Sequence, residues 1–248
     1  MSNLVSSIRE KYLHTLDQIA SAAQRSNRHS EDVRLVVVTK SQTLEIVQAA
    51  IDAGAKILGE NYPEEGVGKI QAIPRQTGVE WHMIGHVQSR KAKLVPGNFA
   101  LLHSLDSLQL AQRLDRFAGE ADRTLAVLLE FNVGGEESKS GWDASDPNLL
   151  NRLLPEVASI LDLPHLRICG LMTMPPLETN PEESRGFFRQ LRLLRDHLSV
   201  QFPSSDWREL SMGTSADFIV AVEEGATLVR VGTAIVGERR YKSENEPK

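Results

Sequence analysis

From Arg34 onward, short apolar runs alternate with segments whose apolar residues recur at helical spacing. Arg34–Lys40 (RLVVVTK) reads as a strand buried on both faces, as in a parallel sheet. Leu44, Val47 and Ile51 then mark a helix over Thr43–Ala53, with Gly54 placed to end it. The same alternation predicts strands at Lys56–Tyr62, Glu80–His86, Leu101–Leu105 and Thr124–Val133. Helices follow them at Glu64–Ile73, Ser89–Val95 (short and basic), Ser107–Ala121 and, beyond a glycine-rich loop, Asn148–Leu161. Strands at Arg167–Met174, Glu209–Met212 and Leu228–Val236 complete the series. Between these lie an arginine-rich amphipathic helix over Pro181–Val200 and a helix over Ala216–Glu224. Eight strands in strict alternation predict a single α/β domain, a closed (β/α)8 barrel of TIM type. A helix over Leu4–Arg25 is an extra element within the lead-in 1–33, and the polar segment 241–248 reads as a loose tail.

The 248-residue length suits one barrel domain. A net charge of -5, with no run of Lys and Arg, gives no footprint for nucleic acid. No apolar stretch approaches membrane-spanning length, and the N-terminus lacks the apolar block of a signal peptide. Cys169 is the only cysteine, which excludes an intramolecular disulfide and a cysteine metal cluster. A soluble, cytoplasmic protein is the expectation.

Barrel active sites gather at the C-terminal ends of the strands. That rule selects Lys40, Asn61, His86, Asp106, Asn132, Thr173, the Ser211–Ser215 turn and Gly232–Thr233. Lys40 ends an apolar strand, with Val36 and Val38 preceding it on the same face. If that face lines the barrel, partial desolvation favours the neutral amine that attacks an aldehyde. A strand-end lysine reaching solvent is the commoner arrangement. The turn Ser211-Met-Gly-Thr-Ser215, before a helix, and Val231-Gly-Thr233 occupy the loops that commonly form a barrel's phosphate site. Gly213 and Gly232 would admit backbone N–H groups, and Ser211, Ser215 and Thr233 would add hydroxyls. A plain helix cap near Ser215–Asp217 explains half of this pattern equally well. Arg230 shares a strand face with Gly232, so it needs either a core carboxylate, Glu60 or Glu130, or a ligand.

His82 and His86 have the spacing of a helical metal pair. In a strand those four residues span about 13 Å, so no metal site is expected. His103 and Asp106 are a candidate pair at the barrel mouth. The charges Asp115, Arg116, Arg189, Arg192 and Arg195 read as solvated helix faces.

These residues lie in segments that carry a family resemblance: VVVTK (Val36–Lys40), GENY (Gly59–Tyr62), EWHMIGHVQSRK (Glu80–Lys91) and ESKSGW (Glu137–Trp142). GLMTM (Gly170–Met174), LSMGTSADF (Leu210–Phe218) and LVRVGTAIVGER (Leu228–Arg239) continue it. The sequence resembles the pyridoxal phosphate homeostasis proteins, whose barrel is related to the N-terminal domain of alanine racemase. The resemblance implies that Lys40 carries pyridoxal 5′-phosphate (PLP) as a Schiff base. It further implies that Ser211, Gly213, Ser215, Gly232 and Thr233 hold the phosphate, that Arg230 faces the pyridine nitrogen, and that Asn61 lies near the cofactor. Family members store or deliver PLP and balance vitamin B6 and amino-acid pools without established turnover. By the same route a monomer is expected, with PLP-dependent apoenzymes as partners. Thr214, where methionine is commoner, and His86 and Arg90 depart from the family pattern.

Two rivals remain on the sequence. A PLP-dependent racemase needs an acid/base group on each side of the substrate carbon, and only Tyr62 stands near a strand end to join Lys40. A Schiff-base lysine aldolase would use Lys40 and the phosphate site without PLP, but PLP accounts better for the lysine on strand one and for the placement of Arg230.

Overall fold

The computed structural model describes residues 2–74, 77–136, 139–176 and 179–238. The predicted tail 241–248, and Glu137 and Ser138 of the ESKSGW segment, lie outside the described residues. Eight strands pair in parallel in chain order: β1 (Arg34–Val38), β2 (Ile57–Glu60), β3 (Glu80–Met83), β4 (Leu101–Leu105), β5 (Leu125–Asn132), β7 (Leu166–Met172), β8 (Glu209–Thr214) and β9 (Leu228–Val231). β1 pairs with both β2 and β9, which closes the barrel. A two-residue strand β6 (Trp142–Asp143), which the hydrophobic pattern did not predict, extends the end of β5.

Alternation along each strand sorts the side chains into two layers. Val36, Ile57, Leu101, Ala126, Leu128, Met172 and Leu228 pack together inside the barrel. Leu35, Val37, Leu58 and Leu129 point outward into the larger core beneath the helices. Those helices are α2 (Leu44–Asp52), α3 (Pro63–Ala72), α4 (Leu108–Glu120), α5 (Pro147–Leu161), α6 (Arg185–Gln201) and α7 (Phe218–Glu223). The N-terminal helix α1 (Asn3–Arg25) buries Ile8, Tyr12 and Ile19 and packs against α2 and α7. Side chains start several helices where the pattern predicts. Thr43 Oγ1 accepts from Ile46 N at the head of α2, and Ser107 Oγ from Leu110 N at the head of α4. Each such cap is worth about 1 kcal/mol.

Some predicted boundaries are corrected. The last strand stops at Val231, and Thr233–Val236 is one helical turn, α8, rather than more strand. Gly232 leaves the extended region (φ -115, ψ -83), and its carbonyl accepts from Ile235 N and Val236 N. A short β-branched run reads as strand by composition even when it is a helical turn that buries only Ile235 and Val236. β1 ends two residues before Lys40, because Gln42 N donates to Thr39 O and closes a turn. Ser89–Leu94 is a 3-10 segment. Arg189 and Arg192, expected to be solvated, instead converge with Arg185 on Glu224 beside α7.

Candidate cofactor site

At the C-terminal mouth of the barrel lies a cavity of about 530 Å³, within the usual range for small-molecule sites. Val38, Lys40 and Asn61 line one side; Thr214, Ser215, Gly232 and Thr233 line another. Ile84, Gly85, His86 and Ser104 complete the rim, with Glu130, Met172 and Arg230 also in the wall. Gly85 is required where it stands, since a Cβ there would meet the Asn61 backbone, with Asn61 Cα at 2.7 Å.

Lys40 is held from both sides by its neighbours in the turn. Lys69, buried in α3, donates to Thr39 O at 2.7 Å and to Glu60 Oε1 at 2.9 Å. It also donates to Glu65 Oε1, which in turn accepts from Ser41 N, each at distances of 2.6 and 2.7 Å respectively. Thr39 Oγ1 donates to Glu60 Oε1 at 2.6 Å. Ser41 takes a left-handed φ of 58°, a conformation that costs a non-glycine residue energy unless its surroundings impose it. Burial raises the Glu60 pKa, while Lys69 and Thr39 oppose the shift.

Arg230 reaches the cavity wall from inside the barrel. Its guanidinium donates to Ser211 Oγ, to Thr173 O at 2.9 Å and to Met174 Sδ at 2.9 Å. The expected carboxylate partners are occupied differently: Glu60 is bound to Lys69, and Glu130 acts on Arg230 only through the field. Burial lowers the Arg230 pKa to about 10, so it stays charged at neutral pH. Burial raises Glu130 to about 7, with Asp106 adding to the shift and Arg230 and Lys139 opposing it. One Glu130 oxygen, Oε2, is buried with no partner among the described residues.

Across the mouth, Ser215 Oγ accepts from Gly232 N at 3.2 Å, joining the two halves of the expected phosphate cradle. A Cβ on Gly232 would press on Val38, with Val38 Cβ at 3.2 Å. Asp217 does not cap α7 with its side chain; its carboxylate accepts from Thr214 N at 2.7 Å and from Thr214 Oγ1. The first N–H groups of the α8 turn face no preceding helical carbonyl.

Six expected site residues therefore line one cavity: Lys40, Asn61, Ser215, Arg230, Gly232 and Thr233. Ser211 and Gly213 lie below it. Ser211 is fully buried and committed to His103 and Arg230, and Gly213 (φ 90) packs against Phe218 and Ala221 of α7. The expected His103–Asp106 pair does not form. His86 Nδ1 meets Asp106 Oδ2 at 2.8 Å, while His103 is buried against His82. Tyr62 is exposed at the start of α3 and is not part of the lining. Glu130 was read from the sequence only as a core partner for Arg230 and not as part of the cavity wall. Its position on β5, in phase with Ala126 and Leu128, would have placed it inside the barrel.

A (β/α)8 barrel with an amine, a buried guanidinium and a hydroxyl-and-amide cradle around one cavity defines a class of small-molecule-binding barrels. Within that class, residues 15–240 match the family "Alanine racemase, N-terminal domain", and the chain belongs to that family. It is 39% identical over 232 residues to the pyridoxal phosphate homeostasis protein of Aquifex aeolicus (strain VF5), covering 94% of this chain and 98% of that one. The structure of PipY from Synechococcus elongatus PCC7942 with PLP bound superposes with a TM-score of 0.73 at 35% identity, covering 88% of this chain and 100% of that one. An alanine racemase from Streptomyces coelicolor A3(2) shares the fold at a TM-score of 0.67 and 16% identity, over 93% of this chain and 58% of that one.

Proposed function

We propose that this protein binds pyridoxal 5′-phosphate at the barrel mouth and serves PLP homeostasis as a carrier. The observation that carries the reading is the convergence of Lys40, Arg230 and the Ser215/Gly232/Thr233 cradle on one cavity, in a chain 35% identical to a PLP-bound relative. Lys40 would hold the cofactor covalently through its ε-amine. Thr214, Ser215, Gly232 and Thr233 would take the phosphate, and Arg230 would face the pyridine nitrogen with Asn61 beside the ring. When bound, PLP supplies an electrophilic aldehyde and an electron-withdrawing ring. A guanidinium at the ring nitrogen opposes protonation there, which weakens the electron sink that amino-acid chemistry uses. The weakened sink supports carrying over turnover, with primary amines, including lysines of apoenzymes, as acceptors.

A racemase reading needs a second acid/base group across the substrate from Lys40. Tyr62, the candidate for that role, points away from the lining into solvent. Among the described residues no helix is long and apolar enough to cross a membrane.

The test is the absorption spectrum of purified protein with added PLP, wild type beside Lys40→Ala. A visible band that borohydride abolishes, leaving a pyridoxyl mass on Lys40 and absent from the variant, is the expected result. PLP-saturated, folded wild type without such a band would overturn the reading and favour a barrel that uses Lys40 directly on a substrate carbonyl.

A further inference from the structure

A continuous line of hydrogen bonds crosses the barrel interior from the mouth to its opposite end. Arg230 Nη1 donates to Ser211 Oγ. Ser211 Oγ lies 2.7 Å from His103 Nδ1, and His103 Nε2 lies 2.9 Å from His82 Nδ1. His82 Nε2 finally lies 3.4 Å from Glu80 Oε2, the longest and weakest step. His82, His103, Ser211 and Arg230 are all buried; Glu80 alone reaches solvent, beside a second cavity lined by Arg34, Arg167 and Glu209.

The two ends give this line a direction. A guanidinium can only donate, and an ionised carboxylate can only accept. Ser211 therefore receives from Arg230 and gives its own proton to His103 Nδ1. His103 must then carry its proton on Nε2 and donate to His82 Nδ1, which places the His82 proton on Nε2, facing Glu80. The reverse order would set the bare Nε2 of His82 against the Glu80 carboxylate and leave the Ser211 proton without this acceptor. Burial holds both imidazoles neutral, as a one-way line demands.

We propose that Glu80, His82, His103 and Ser211 are positioning residues for Arg230, locked as a donor line with both histidines in the Nε2–H tautomer. Arg230 forms no ion pair among the described residues; its partners are a hydroxyl, a carbonyl and a thioether. The line commits the Ser211 proton elsewhere, so its oxygen always presents lone pairs to the guanidinium. Successive dipoles extend that arrangement toward a carboxylate at the far end of the barrel. Arg230 is thereby aimed at the cavity without a carboxylate bonded to it. The consequence for the pyridine ring rests on the cofactor reading; the tautomers do not.

The experiment is nitrogen-15 NMR of the histidine rings in the cofactor-free protein, followed by PLP titration of Glu80→Gln and Glu80→Leu. Both rings are expected with an unprotonated Nδ1 and a protonated Nε2. Glu80→Gln, which keeps an acceptor oxygen, should bind PLP as wild type does. Glu80→Leu should weaken binding by roughly threefold or more and shift the absorption maximum of the bound cofactor. A protonated Nδ1 on either ring would overturn the direction of the line. Correct tautomers with Glu80→Leu indistinguishable from wild type in affinity and absorption would overturn the positioning role. If no variant and no wild-type protein bound PLP, the cofactor reading would fail, while the ring tautomers would still decide the line.

Discussion

Lys69 reaches from α3 beneath the barrel mouth and donates to the carbonyl oxygen of Thr39 at 2.7 Å, anchoring the residue that precedes Lys40. The same ammonium meets Glu60 at 2.9 Å, and both side chains are almost fully enclosed. Replacing Lys69 by Met would leave Glu60 buried without its cation, a loss of about 3–5 kcal/mol for a broken buried pair. Glu60 already has a raised pKa, so the fold favours its protonated form and the penalty for its charge grows with pH. Denaturant melts of Lys69→Met should therefore show a loss that shrinks as the pH falls. Adding Glu60→Gln should recover part of it at neutral pH. A loss independent of pH, and not relieved by the second change, would show that the pair is not what holds this turn.

Glu130 makes a second pH-dependent contribution. Its pKa rises from 4.5 to about 7, chiefly through burial. The protonated carboxyl is the form that the fold favours, so this contribution is complete below 4.5 and is lost as pH rises through 7. In cofactor-free protein, Glu130→Gln should match wild type near pH 4. It should gain relative stability above pH 7, by at most about 3 kcal/mol. A constant difference across that range, measured by urea unfolding, would mean that Glu130 titrates as an ordinary surface carboxyl.

How much of this was legible in the sequence depends on the kind of signal. Short apolar runs such as Arg34–Val38, followed by helix-period segments, announce buried parallel strands, and eight such runs in alternation announce the barrel. Lys40, Gly232 and Thr233 were reachable because strand C-termini are a positional rule. Side-chain partners across the barrel were not reachable. The His103–Ser211 contact joins residues 108 apart in sequence, and it depends on the register of β4, β8 and β9. The shift between Ser211 and Thr214 turns Ser211 inward while Ser215 stays at the mouth. Lys69 on a helix reads as solvated charge until Glu60 and the Thr39 carbonyl are seen above it.

Gly170 tests the barrel rather than the site. It sits at the irregularity between β5 and β7 with φ 146, and an added Cβ would collide with the Glu209 carbonyl. Neither strain can be relieved by a rotamer change, because both partners are backbone. Gly170→Ala is expected to cost about 3 kcal/mol or more. Recovery of the variant as soluble, equally heat-resistant protein would show that β7 can pair with β8 in another register.

Gly232→Ala separates fold from ligand at the cradle. The backbone there has a negative φ of -115, so the left-handed strain of Gly170 does not arise, although ψ -83 lies outside the α and β regions. Its Cβ would instead enter the space between the ends of β9 and β1, with Val38 Cβ at 3.2 Å and Val38 O at 3.3 Å. Those contacts are tight but lie at the mouth, where Val38 is only half-buried and can yield. The melting temperature should therefore fall only modestly. PLP affinity should fall about tenfold, as the Cβ displaces the Gly232–Thr233 turn from Val38 and from Ser215 and so misplaces the cradle. Pyridoxal, which lacks the phosphate, should be affected far less. Equal loss for both ligands would place the damage at the ring or at Lys40. Undiminished PLP binding would mean that the phosphate lies elsewhere than between Ser215 and Thr233.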